Sequence, residues 1–526
     1  LKIRVEDPDY ASFYDKSINI RQQNGYILKG KGTETFECRF AYMGFQFVRV
    51  TADPGVTVER VEAVPVHTDV AEAGRFVCSN DVVNRLQDIS RASLLNNFHS
   101  IPTDCPHREK QGWTADTYMT DQAAIYNFDM AAFYAKWVED LAGTQDSAGG
   151  LCTVAPSTGY DQSISTVWPA AIVYVPWDLL AYYGDRRVVE RHYETMMRFA
   201  ESSLLRQRDG KPEIIGEVLG DWVSPHMTLS DTLMSYSMAP PEGLTLYGTA
   251  SHYRVVRNLA EVARFLGKRD DAVRLDAWAD RIARRFNEEF FDAASGIYHG
   301  ENPTPYRQAA NVVPLEYGLV PEADSARVLG SLLRDLDGTR DRIGTGFVGT
   351  LSMMELMPRI DPERAYRLAT QPDYPGWGFM ALSGATTMWE TWDGSASRNH
   401  PPFCLISAYF YKYLAGIRCD RAYPGFERFT VDPSVVGDLT FVEAWHDSPY
   451  GRIRSEWRRD GSRLTMKVSV PVGTTATIGV PTRDAAGVAE SGRPVSGADG
   501  VKFLRAAGGK AFYEVGTGSY VFTSRL

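Results

Sequence analysis

Three carboxylates, a guanidinium and an indole crowd into the stretch Asp104-Cys105-Pro106-His107-Arg108-Glu109-Lys110-Gln111-Gly112-Trp113-Thr114-Ala115-Asp116. Pro102, Pro106 and Gly112 mark most of it as a shaped loop, followed by a helix near Ala115. A loop running into a helix can gather such side chains around one small ligand. The chemistry that suits them is cleavage of a glycosidic bond. One carboxylic acid protonates the leaving oxygen, a second carboxylate activates water or attacks, and further polar groups hold the sugar hydroxyls. A second stretch, Thr386-Thr387-Met388-Trp389-Glu390-Thr391-Trp392-Asp393-Gly394, sets Glu390 between two tryptophans. A carboxylate against an aromatic wall loses hydration, which is costly unless the group reacts or is paired. The structural alternative is that Glu390 caps a turn or pairs with Arg398. His400, Trp168 and the Gly220-Asp221-Trp222 tripeptide are further candidates for contact with a sugar, each with an equal claim to a place in the core.

Glu109 and Glu390 are distant in the chain, so other elements must bring them together. At Ser79-Asn80 the period of apolar residues changes from two towards 3.6, with Asn80 placed to cap a helix carrying Val82, Val83, Leu86 and Ile89. Helix-length segments follow over residues 130–141, 173–183, 188–205, 248–266, 272–290, 325–336 and 403–414. Gly/Asp punctuation at Gly184-Asp185, Gly267-Lys268, Ser295-Gly296 and Asp337-Gly338 separates them. This reads as an all-α array of stacked αα-hairpins over residues 76–418. Residues 1–75 read as β, with the aromatic and β-branched run 36–50 and the alternation of 56–66 as strands of a β-sandwich, and few strands fitting before Phe36. From 419 to 526 the strand signal returns at 452–457, 464–470 and 475–480, predicting a C-terminal β-sandwich.

The bulk composition narrows the function. With 44% hydrophobic and 23% charged residues, the 526-residue chain is an ordinary globular sequence of several domains. Its net charge of −10 gives no general attraction for nucleic acid or anionic lipid. No apolar run approaches the length of a transmembrane helix, so no membrane partner is expected. The six cysteines show no CxxC pair and no metal-ligand spacing, and neither a metal nor another cofactor is expected. Scattered free thiols fit a reducing compartment, which favours the cytoplasm. A chain that begins at Leu1 without Met can be a processed form, so a periplasmic or secreted location stays open, as does a homo-oligomer.

These residues, in this order, resemble the bacterial α-L-rhamnosidases of glycoside hydrolase family 78. The resemblance runs through Phe40-Ala41-Tyr42-Met43-Gly44-Phe45-Gln46-Phe47-Val48, the Asp104 to Asp116 stretch, Gly220-Asp221-Trp222, Trp389-Glu390-Thr391-Trp392 and Tyr413-Leu414-Ala415-Gly416-Ile417. The pattern Phe265-Leu266-Gly267 to Gly296-Ile297-Tyr298 is similar to helix pairs of (α/α)6 toroids in glycan-processing enzymes. The resemblance implies a central (α/α)6 catalytic toroid flanked by N- and C-terminal β-sandwiches. It implies an inverting hydrolase that removes terminal α-L-rhamnose from a glycoside or oligosaccharide. It makes Glu109 the general acid and Glu390 the general base, with their carboxyls roughly 6.5–9.5 Å apart. It gives Asp104, Arg108 and Asp116 to the sugar hydroxyls, Trp113, Trp168 and Trp222 to the lining near the sugar and its methyl group, and His400 to substrate contact. Three positions depart from the familiar pattern: one residue fewer between Asp104 and Trp113, Pro169-Ala170 after Trp168, and Pro401-Pro402 after His400. The rivals are a glycosidase or lyase on the same toroid acting on another deoxy sugar or a uronic acid, and an inactive glycan-binding protein. The presence of both glutamates speaks against the latter.

Overall fold

The computed structural model describes residues 2–6, 22–159, 164–208, 210–229, 236–237 and 239–526. Its centre is a closed ring of helices. The helices Thr114–Asn127, Ala171–Tyr183, Thr245–Phe265, Gln308–Tyr317 and Phe347–Ile360, with the helical segment 402–414, each pack against the next, and the last returns to the first. An outer layer consists of Ala131–Ala142, Arg186–Ser202, Arg269–Phe290, Glu322–Thr339, Pro362–Thr370 and Asp81–Leu95, each packed on the inner ring. Helices alternate inner and outer along the chain, and Asp81–Leu95 closes the outer layer against 402–414. This is the six-hairpin toroid.

Local sequence explains the two layers. Outer helices are two-faced: Arg186–Ser202 buries Val188, Val189, Tyr193, Met196, Met197 and Phe199 and turns its charges outward. Inner helices are buried around most of their girth, as Ala171–Tyr183 is from Ala171 to Tyr182, because both sides meet protein. Asn80 caps the first helix as expected, accepting from the Val82 and Val83 amides at 3.0 and 3.2 Å. Fully buried Trp137, Trp377 and Trp392 fill the spaces between layers.

The C-terminal region is a β-sandwich of a five-stranded and a seven-stranded sheet. Strands Gly451–Asp460, Arg463–Val470 and Thr475–Pro481 contain the three expected segments. The seventh strand of the larger sheet is Gly74–Cys78, paired antiparallel with Phe441–Ser448, so a boundary drawn between residues 75 and 76 cuts through it. The N-terminal region departs from expectation. Two strands, Lys2–Glu6 and Gln23–Ile27, precede Phe36, and of the run 36–50 only the end is strand, in Arg49–Ala52. Residues 56–66 form no strand. Alternation specifies a strand only where a neighbour takes its hydrogen bonds and a core takes one face. Here Val58, Val61, Val64, Val66 and the fully exposed Phe40 face outward.

Candidate active site

The loop between Asp81–Leu95 and Thr114–Asn127 is pinned at several levels. The Thr103 amide donates to the Asn97 carbonyl at 2.8 Å and its hydroxyl to Asn97 Oδ1 at 2.9 Å. Inside that pinch, the Asp104 amide donates to the Gln111 carbonyl at 2.8 Å and the Gln111 amide to Asp104 Oδ1 at 2.9 Å. The chain from 104 to 111 therefore folds on itself and holds Arg108 and Glu109 at its tip. Gly112 must be glycine, because a Cβ there would stand 2.1 Å from the Ala155 carbonyl oxygen. The loop is braced from outside by the N-terminal region. Lys110 Nζ donates to the Tyr42 carbonyl at 2.6 Å, and the Tyr42 ring stacks on His99 at 3.7 Å.

Arg108 joins the two glutamates. Its Nη2 lies 2.9 Å from Glu109 Oε1 and 3.4 Å from Glu390 Oε2. The two oxygens that share this nitrogen are therefore at most about 6.3 Å apart, below the roughly 6.5–9.5 Å carboxyl separation of an inverting pair. Trp113 Nε1 donates to the other Glu109 oxygen at 2.7 Å, and the Glu109 amide donates to Cys105 Sγ at 3.3 Å. Glu390 sits in the turn 389–398, where its amide donates to the Ser397 carbonyl at 2.8 Å and its Oε2 accepts from the Ser397 amide at 3.1 Å. Arg398 lies instead over the Trp389 ring, 5.5 Å from its centroid. His400 Nε2 is 3.0 Å from Asp116 Oδ1 and its Nδ1 4.0 Å from Glu390 Oε2.

Burial separates the glutamates. The Glu109 side chain is 22% exposed and that of Glu390 4%. Burial opposes ionisation of Glu390, but the His400 imidazole, the Arg108 guanidinium and the Ser397 amide outweigh it and hold its pKa below the usual carboxylate value. Burial likewise opposes protonation of His400, and the Glu390 and Asp116 carboxylates override it, holding its pKa well above the usual imidazole value. Glu390 and His400 thus each favour the charged form of the other.

Of the ten sequence candidates, contacts draw Asp104, Arg108, Glu109, Trp113, Asp116, Glu390 and His400 into one cluster. Asp104 joins it through Cys105 Sγ, 2.8 Å from its Oδ2, and the donor atoms of Asp104, Cys105 and His400 lie within 4.8 Å of one another. That trio has ligand types for a metal; Asp104 is also held by Gln111 and Cys105, Cys105 accepts from the Glu109 amide, and His400 Nε2 meets Asp116 while its Nδ1 has no hydrogen-bond partner. The other three candidates stand in the surrounding wall. Asp221 is fully buried and accepts the Gly346 and Gly349 amides at 2.7 and 2.8 Å, capping Phe347–Ile360 from another segment, while burial pushes its carboxyl up to about 7. The half-buried Trp222 accepts the Phe347 amide on its carbonyl at 2.9 Å, and Phe347 packs against His400 with ring centroids 6.0 Å apart. Trp168 is buried at a turn packed on Thr114–Asn127. Sequence reasoning passed over Cys105 as a plain buried thiol and did not single out Ser397 or the Tyr42 brace. Only Cys105 carried a signal, its position between Asp104 and Glu109.

Fold and site together give a six-hairpin toroid with two glutamates joined by one arginine. The sequence model of the bacterial α-L-rhamnosidase six-hairpin glycosidase domain matches residues 71–414, that of the C-terminal domain 416–493, and that of the concanavalin-like domain 5–67. The chain belongs to the bacterial α-L-rhamnosidase family. An α-L-rhamnosidase of Streptomyces avermitilis is 31% identical over 540 residues, covering 99% of this chain and 48% of that protein. One of Formosa agariphila is 30% identical over 478 residues, covering 86% of this chain and 49% of that one. The chain spans about half the length of these relatives. Among solved structures, the α-L-rhamnosidase of Dictyoglumus thermophilum superposes with TM-score 0.89 at 31% identity, over 99% of this chain and 59% of that one. The Streptomyces avermitilis enzyme complexed with L-rhamnose gives 0.84 at 28%, over 99% of this chain and 49% of that one.

Proposed function

We propose that this chain hydrolyses terminal α-L-rhamnosides with inversion, using Glu109 as the acid and Glu390 as the base. The observation that carries the reading is the convergence of Glu109 and Glu390 on Arg108 from opposite ends of the toroid sequence. Glu390, held ionised by His400, Arg108 and the Ser397 amide, deprotonates the attacking water. Glu109, more exposed and steered by Trp113, delivers its proton to the glycosidic oxygen. Asp104, Arg108, Asp116 and His400, gathered around Glu390, supply fixed polar groups for the sugar hydroxyls. Trp113 and Trp222 give the apolar wall for the ring and methyl group, with Trp168 and Asp221 supporting that wall from behind. The substrate is a rhamnose-bearing glycoside or oligosaccharide. The L-rhamnose complex of the Streptomyces avermitilis relative supports the choice of sugar.

Proton NMR of the first sugar released from 4-nitrophenyl α-L-rhamnoside tests substrate and stereochemistry together. The expected first product is β-L-rhamnose, which then mutarotates. Initial release of the α anomer would replace inversion with a covalent intermediate, and no release at all would remove the substrate assignment.

A further inference from the structure

Beneath the pocket, a second cavity of about 300 Å3 lies along the axis of the toroid, with residues from all six inner helical elements in its wall. It shares its helices with the catalytic pocket but none of that pocket's residues. On Thr114–Asn127, Asp116 faces the glutamates, while Asp121 lines the cavity roughly 7.5 Å further along the axis at 1.5 Å per residue. The same division holds on 347–360, where Phe347 packs on His400 and Glu355 lines the cavity.

The wall combines aromatic faces with polar atoms that lack partners. Tyr118, Tyr174 and Trp177 supply flat surface. Most wall charges are neutralised in place: Asp178 by Arg421 at 2.6 Å, and Glu355 by Lys412. What stays unmet is a mixed set. Asp121 Oδ2, on a side chain that is 1% exposed, has no hydrogen-bond partner. Arg254 Nη1 and Glu316 Oε2 stand 4.0 Å apart, too far for a direct hydrogen bond, and each lacks one. A hydroxyl between them can donate to Glu316 while accepting from Arg254. Unpaired donors and acceptors in a charge-balanced, aromatic-walled space match the vicinal hydroxyls and apolar ring face of a sugar. The volume is at the lower end of ligand pockets, roughly 300–1,000 Å3, and fits a single ring. Arg418 and Arg421, with side chains 28% and 45% exposed, stand where the wall meets solvent.

We propose that this axial cavity is a second binding site, for a neutral polyol of monosaccharide size, separate from the catalytic pocket. It needs no hydrolysis and does not depend on the substrate assignment above.

Calorimetric titration of the whole chain with L-rhamnose, D-mannose, myo-inositol and glycerol tests it, in native protein and in Glu390→Gln, Glu316→Gln and Asp121→Asn variants. At least one of the four should bind the native protein and Glu390→Gln alike, and bind about tenfold or more weakly to Glu316→Gln and Asp121→Asn. Asp121→Asn keeps the size and shape of the side chain, so an unaltered melting temperature in that variant separates lost binding from lost fold. The proposal is overturned if none of the four binds outside the catalytic pocket, or if binding is the same in Glu316→Gln and Asp121→Asn as in native protein. Either result makes the cavity a site for ordered water only. Rhamnoside hydrolysis, assayed in parallel, reports separately on the enzymatic reading.

Discussion

The loops that carry Glu109 and Glu390 solve opposite problems. The first is built by backbone: Asp104 and Gln111 close it, Gly112 lets it pass Ala155, and Tyr42 braces it from another region of the chain. Its glutamate is left partly in solvent, touched by one guanidinium and one indole. The second is built by charge. Glu390 is buried, and a cation on two sides and an amide of its own turn keep it ionised. The contrast suits the two proposed roles: a proton donor must exchange protons with solvent between turnovers, whereas a base that activates water can be shut in if its ionisation is secured by fixed partners.

Three measurements break or sharpen that contrast. The largest effect is expected from the glutamates. Glu390→Gln should lower kcat by about 10²–10⁴-fold on every rhamnoside, whatever the leaving group. Glu109→Gln should lose a similar factor on alkyl rhamnosides and far less on a nitrophenyl rhamnoside, whose leaving group needs little protonation. Equal losses on both substrates in Glu109→Gln would take the acid role from it. The next effect is on pH dependence. In the proposed role of base Glu390 works ionised, so its lowered pKa predicts that activity survives as pH falls until that lowered value is reached. His400→Gln removes the first of the charges that lower it, so the acid limb of kcat/KM should move to higher pH. An unmoved limb would show that Arg108 and Ser397 alone hold the charge. The smallest effect concerns the supporting wall. Asp221→Ala strips two backbone amides of their acceptor and should cost about 1–3 kcal/mol of stability, seen as a lower Tm, with KM near native. A raised KM at unchanged Tm would return Asp221 to direct sugar contact.

What could be read from the chain followed the reach of each signal. Most helices on the outer layer announced themselves because one face is apolar and one charged, although the short Pro362–Thr370 went unnamed. Inner helices were harder: Gln308–Tyr317 and Phe347–Ile360 went unnamed, since each has a proline inside and lacks a polar stripe. Glu390 stood out because a carboxylate between tryptophans is costly to bury idle, and Glu109 because it lies in a dense cluster of carboxylates that resembles the family's signature. Asp221 looked the same in sequence, yet its carboxylate is taken up by amides at 346 and 349, a relation between distant segments that no local pattern encodes. The strand expectation for 36–66 failed for the mirror-image reason. Its residues suit a sheet, but most of them find no neighbouring strand among the described residues.

The short strand Gly74–Cys78 has an architectural consequence. It precedes the first toroid helix, yet it is hydrogen-bonded to Phe441–Ser448, which comes after the last one. The way into the toroid and the way out are therefore clasped side by side, like the two ends of a bracelet. Trp457 Nε1 and the Ser455 hydroxyl strengthen the clasp by donating to the Leu414 and Ala415 carbonyls at 2.9 and 2.6 Å. The terminal sandwich is thus a fastener for the helical body, and cutting it away would leave the first and last hairpins free to part.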